Sequence, residues 1–235
     1  MEAEFQTVGY LLVDAFARVD VMDSRLPSRM WSPSTCLSNS YPDADFTWVT
    51  TSSEQDDALR TRLGLSEAQL SEYKTDATRL LDEGHLGWPN LFLSLTHTRS
   101  FAARWLTEVV DLRLLGLALP EDLASSAAAS STPQPGMGPS GVHLGLKRQA
   151  GDEEEGTTLG FDVLGLEAES GSFHAPVCND LVGDFIDRLG LSLNEHALLS
   201  TLTDATLAAE FCCLDETGAE PALWLPWRVR TYGLR

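Results

Sequence analysis

Residues 112–119, Leu-Arg-Leu-Leu-Gly-Leu-Ala-Leu, are apolar at almost every position, and Pro120 closes the run. Successive side chains of a strand point to opposite faces. A strand without a polar face must therefore be covered on both sides, which predicts a central strand in a sheet. The rest of the chain has to supply that cover.

Several segments read as further strands. Thr7–Asp14 is rich in β-branched and aromatic residues, and 46–50 and 91–95 are shorter runs of the same kind. Residues 142–148 alternate, with Val142, Leu144 and Leu146 against His143, Gly145 and Lys147. Residues 159–166 alternate as well, with Leu159, Phe161 and Val163 on one face. Together they predict an antiparallel hairpin around the acidic turn at 151–156. A last strand is predicted at 224–232, beginning late or lying at an edge because of Pro226.

Helix signals fall between these runs. Ser53 opens one helix and Gly64 ends it. Ser66 with Gln69 three residues on is a capping-box pattern. It leads into Leu70, Tyr73, Ala77, Leu80 and Leu81 on one face, and Gly84 stops the helix. Ser100 caps a predicted helix with an apolar stripe from Phe101 to Val110. Two more are predicted at about 177–189 and 203–213, with a single turn at 194–199.

Residues 20–41 carry prolines and serines without a period and read as loop. The Ser-, Ala-, Pro- and Gly-rich segment 125–141 reads as a flexible surface excursion. The expectation is one α+β domain over 1–235 interrupted by that excursion. The alternative is a split into 1–124 and 142–235. No βαβ pattern repeats, so the expected architecture is a mixed, mostly antiparallel sheet with helices packed on one face.

The net charge is -19, from 35 acidic and 16 basic residues. Such a surface repels nucleic-acid backbones and anionic lipid, and it favours basic partners. The N-terminus has no basic stretch followed by an apolar run, and no apolar run reaches the length of a membrane span. A cytoplasmic protein with reduced cysteines is expected.

No motif fixes a chemistry. A helix-opening GxGxxG, a phosphate loop, a GxSxG elbow, HExxH and CxxC are all lacking. His85, His97, His143, His174 and His196 are scattered, and 152–155 lacks the ligand spacing of a calcium loop, so no metal or cofactor is expected. His174, Cys178 and Asn179 could supply a base, a thiol and an orienting amide. However, Cys178 shares a predicted face with Leu181, Val182 and Phe185, which reads as core. His174 then reads as a loop residue bonded to backbone, and Asn179 or Asp180 as a helix cap. An enzymatic reading would use His174 with an acid such as Asp162 or Asp180.

The segment from Gly160 to Leu199 resembles a stretch in small bacterial proteins of uncharacterised function, in which a GxDVLG-type strand precedes an SFH…CN loop and a helix. The matching residues are Gly160, Asp162, Val163, Leu164, Gly165, Ser172, Phe173, His174, Cys178 and Asn179. Some such proteins look like immunity partners of secreted toxins, which implies an acidic inhibitor of a basic protein. In that reading Asp152, Glu153, Glu154 and Glu155 steer the encounter, and Trp224 and Trp227 anchor it. A homo-oligomer joined through the C-terminal strand is a further alternative.

Overall fold

The computed structural model describes residues 3–14, 53–88, 90–136, 138–148 and 156–235, apart from the side chains of Ser53, Glu54, Gln55 and Cys178. The strand expected at 46–50, the loop at 20–41 and the acidic residues Asp152, Glu153, Glu154 and Glu155 lie outside the described residues.

The strand over 112–120 is central, as its sequence requires. Among the described residues seven strands form one sheet in the order β2-β3-β1-β4-β7-β5-β6, and every pairing is antiparallel. They are β1 (Phe5–Asp14), β2 (Leu86–Gly87), β3 (Leu91–Phe92), β4 (Leu112–Pro120), β5 (Thr157–Leu166), β6 (Phe173–His174) and β7 (Leu223–Tyr232). Strands from both sides of residues 125–141 join this sheet through the β4–β7 pair. The helices are α1 (Ser53–Leu63), α2 (Glu67–Asp82), α3 (Leu95–Trp105), α4 (Glu121–Ser130), α5 (Gly141–Lys147), α6 (Leu181–Asp187) and α7 (Leu202–Cys212).

The fold is α+β, but helices cover both faces of the sheet rather than one. Leu115, Leu117 and Leu119 of β4 pack with Ala124 and Ala127 of α4 and Val142 and Leu146 of α5. Leu114 points the other way, into a cluster with Tyr73, Phe101 and Trp105 from α2 and α3. Further along that second face, Val163 and Trp224 pack under α6 and α7. With both faces buried, β4 needs no polar side.

Two expectations fail at 121–147. Residues 125–130 are the second half of α4, not loop. Ala124 and Ala127 are fully buried there, because a methyl side chain lets a helix lie close to the sheet. Residues 142–148 are not a strand of a hairpin. Residues 142–147 belong to α5, which Ser140 and His143 cap reciprocally and Arg148 ends. His143 is buried, its Nδ1 accepting from the Ser140 amide (3.1 Å) and its Nε2–H donating to the Ala168 carbonyl (2.8 Å). Gln6 Nε2 donates to the carbonyls of Leu146 (3.0 Å) and Arg148 (2.7 Å) at the far end of α5. A Cβ on Gly145 would come within 1.9 Å of the Val8 carbonyl, so only glycine lets α5 lie this close to β1.

Other boundaries also move. α3 starts at Leu95 rather than after Ser100 and stops at Trp105, leaving Val110 91% exposed instead of in a stripe. The helix expected at 177–189 breaks at Asp180, whose φ of 57° is left-handed, so a 3₁₀ turn over Pro176–Asn179 precedes α6. Residues 194–199 form a tight reverse turn, not a helical one: Ala197 has φ 59°, and its amide donates to the Asn194 carbonyl (3.0 Å). Leu199 bridges to Phe161 and to Leu193.

β7 lies inside the sheet, not at an edge. Phe161 exchanges its backbone hydrogen bonds with Leu199, on the side of β5 away from β7. By alternation the Val163–Pro226 pair on that strand is also not hydrogen-bonded. On its other side, Pro226 lies beyond the last β4 pair, Ala118–Arg228. The missing proline N–H is therefore never needed.

Candidate functional site

The β5–β6 connection gathers a polar cluster with two carboxylates around His174. β5 ends at Leu166, and Glu167 opens a tight turn in which its amide donates to the Ser172 carbonyl (3.0 Å) and its carbonyl accepts from the Gly171 amide (2.9 Å). Gly171 has φ 70°, and a Cβ there would fall 1.9 Å from Ser140 Oγ, so the turn needs glycine on both counts. Ser170 Oγ donates to Glu167 Oε2, and the Ser172 amide donates to Ser170 Oγ (2.9 Å). The chain then returns as β6, where His174 pairs with Gly165.

This geometry sets His174 Nε2 at 2.8 Å from Glu167 Oε1. On the other side of the ring, Nδ1 is 3.8 Å from Glu220 Oε1, buried and without a hydrogen-bond partner. Glu220 accepts from Asn179 Nδ2, and its backbone carbonyl accepts from Trp224 Nε1 (3.2 Å). The histidine side chain is only 12% exposed, whereas Glu167 and Glu220 are 42% and 36% exposed. The Ser170 hydroxyl chiefly, and then the His174 contact, hold the Glu167 carboxyl below its ordinary range against the opposing effect of burial. With Glu167 engaged at Nε2, Nδ1 is the ring nitrogen left facing Glu220. The arrangement is a base oriented by a carboxylate, with a second carboxylate beside its free nitrogen.

The other residues singled out in the sequence are placed differently. His174 is bonded to the Glu167 carboxylate, not to backbone. Asp162 does not join it: Asp162 shares a face of β5 with Leu164, whereas His174 shares one with Gly165. Asp162 accepts from the Val163 amide through Oδ1 (2.8 Å), while Oδ2 is buried without a partner. Burial pushes this carboxyl up to about 7, against the lowering effect of the Val163 amide. Asp180 is exposed and makes no side-chain cap. Cys178 lies on the 3₁₀ turn between Asn179 and the β6 strand.

Trp224 and Trp227 are both buried and cannot serve as surface anchors. Their spacing puts them on opposite faces, and both faces are covered. Trp224 packs under α7 and Trp227 meets Phe173 edge-on at 5.2 Å. An interface through the edge of the C-terminal strand fails for a related reason, since β4 and β5 occupy both edges of β7.

His85 and His97 stack at 3.8 Å, and His196 is exposed beside Glu195. Among the described residues no group of three His, Cys, Asp or Glu side chains is placed to hold a metal ion, and no helix is long and apolar enough to cross a membrane. Sequence reasoning missed Glu167 and Glu220. Glu167 could have been found from its place across a Ser-Gly-Ser turn from His174. Glu220 has no local signal, because the fold alone brings it to the ring. The chain matches no protein-family model, no curated protein and no solved structure.

Proposed function

We propose that the protein is a small hydrolase or transferase in which His174 is the acid–base group. The observation that carries this reading is the 2.8 Å contact between His174 Nε2 and Glu167 Oε1, held by a turn that only glycine permits. Glu167 fixes the tautomer and the ring plane. Nδ1 takes a proton from a water or hydroxyl nucleophile that enters when the Glu220 carboxylate swings aside. Asn179 and Glu220 then line the entry. The test is turnover of a panel of activated carboxyl and phosphate esters. His174→Gln should lower kcat/KM by about 10²–10⁴-fold. Glu167→Gln should lower kcat while leaving KM nearly unchanged. Full activity of His174→Gln, or no turnover by the unaltered protein, would remove this reading.

A second reading rests on the net charge of -19. An acidic cytoplasmic protein of this kind can bind a basic partner, as an inhibitor does, with charge steering the encounter. Trp224 and Trp227 play no part in it. Capture of a basic protein at low salt and its release at about 0.5 M salt, well beyond the range of surface charge, would support this reading. Capture that is insensitive to salt would count against it.

A further inference from the structure

The outer edge of β5 is interrupted at one position. Phe161 is bridged to Leu199 on one side of the gap, through bonds of 2.8 and 2.9 Å. On the other side Gly165 pairs with His174 in β6. Val163 lies between them, with its backbone groups turned outward by the same alternation. Its amide is satisfied by the Asp162 side chain folded against the edge, at 2.8 Å.

The interruption opens a pocket of about 30 Å³. Asp162 borders it, and the remaining wall is apolar, including Pro176 from the 3₁₀ turn, Val182 and Phe185 from α6, and Leu193, Ala197 and Leu199 from the reverse turn that Leu193 and Leu199 close. Asp162 Oδ2 is buried and receives no hydrogen bond. Buried polar atoms are nearly always paired, and a carboxylate oxygen left alone is among the costliest exceptions. No side chain of this wall other than Asp162 carries a polar group, so a donor to Oδ2 is one that enters the pocket.

We propose that this pocket binds the head of a primary alkylammonium group, with the nitrogen on Asp162 Oδ2 and the first carbons against Val182 and Phe185. A space of this size admits a head of two or three heavy atoms, and the rest of a longer chain extends towards solvent. An ammonium suits the site better than a hydroxyl because it supplies a donor and a compensating charge together. The net charge of -19 raises the local concentration of cations around the chain. This site is separate from the His174 cluster, and neither reading depends on the other.

The test is an amide chemical-shift titration of the ¹⁵N-labelled full chain with ethylammonium chloride, with ethanol and sodium chloride as parallel probes. Ethylammonium should give saturable shifts at Val163, at Val177 and at Ala197–Leu199. Ethanol should bind at least about tenfold more weakly, a difference of 1.4 kcal/mol. Asp162→Asn keeps an oxygen for the Val163 amide and should erase the preference for ethylammonium. Ala175→Val narrows the pocket without touching the carboxyl and should weaken both organic probes. The proposal is overturned if ethanol matches ethylammonium, if sodium chloride produces the same shifts, if no probe saturates, or if Asp162→Asn binds ethylammonium as the unaltered chain does.

Discussion

Asp162 and Glu167 stand at the two ends of the same stretch of β5 edge, and their surroundings push their carboxyls in opposite directions. Glu167 lies on an exposed turn, where a hydroxyl and an imidazole hold it below its ordinary value of 4.5. Asp162 is folded into an apolar gap, has one hydrogen bond, and is pushed up to about 7. The contrast is not between residue types. A carboxylate given several donors stays charged and can orient a base, whereas one buried with a single donor is held near the point of protonation, its second oxygen unpaired.

The largest expected effect would separate the two regions. Gly171→Val places a β-branched side chain at a left-handed position and against Ser140, and should destabilise the fold by about 3 kcal/mol in urea denaturation. It should disorder the Glu167 turn while leaving the Asp162 pocket able to bind ethylammonium. Loss of both together would mean that the two regions are one unit.

Asp162→Asn should do the reverse. A folded-state value raised from 3.8 to about 7 means that the unfolded chain releases this proton first as pH rises. The stability associated with Asp162 is therefore fully present below pH 3.8 and is lost as pH rises through about 7. Replacing it with asparagine should stabilise the protein at pH 8 and change little at pH 3.5. Equal stability of the two proteins at pH 8 would show that the carboxyl is solvated.

Glu167→Gln should have the smallest effect and the opposite sign. A lowered folded-state value gives stability that is present above 4.5 and lost as pH falls through the lower value. Because this side chain is 42% exposed, solvent screening limits the loss at pH 7 to about 0.5 kcal/mol. The loss should shrink as pH falls below 4.5. If Glu167→Gln instead stabilised the protein at pH 7, the contrast with Asp162 would collapse.

These two sites were not equally legible in the sequence. Strong local signals read well: the Ser66–Gln69 capping box opens α2, Gly84 at φ 69° follows its end, and β4 is central. Residues 142–148 misled because Val142, Leu144 and Leu146 satisfy a period of two, while Val142 and Leu146 also share one side of a helix. The deciding cue was a cap with histidine in the position usually held by Glu or Gln. The Ala- and Ser-rich run at 125–130 misled by composition, although Glu121 and Asp122 mark a helix start just before it. At the site, His174 and Asp162 stood out as residue types, but their partners depended on strand register. Glu167 is local and recoverable, whereas Glu220 and the gap between Leu199 and β6 exist only once the sheet is assembled.

The place of β7 has a consequence for the order of folding. It is the last described strand in the chain, yet it joins β4 to β5 and carries core tryptophans on both faces. Until it docks, the β1–β4 unit and the β5–β6 unit have no shared hydrogen-bonded ladder, and each exposes an apolar edge. Closure then depends on contacts between residues far apart in sequence, such as Leu114 with Tyr232. Loops of that length close slowly and lengthen the search. Any form of the chain in which β4 and β5 are in place before β7 would present two open sheet edges, the feature that invites pairing with another copy.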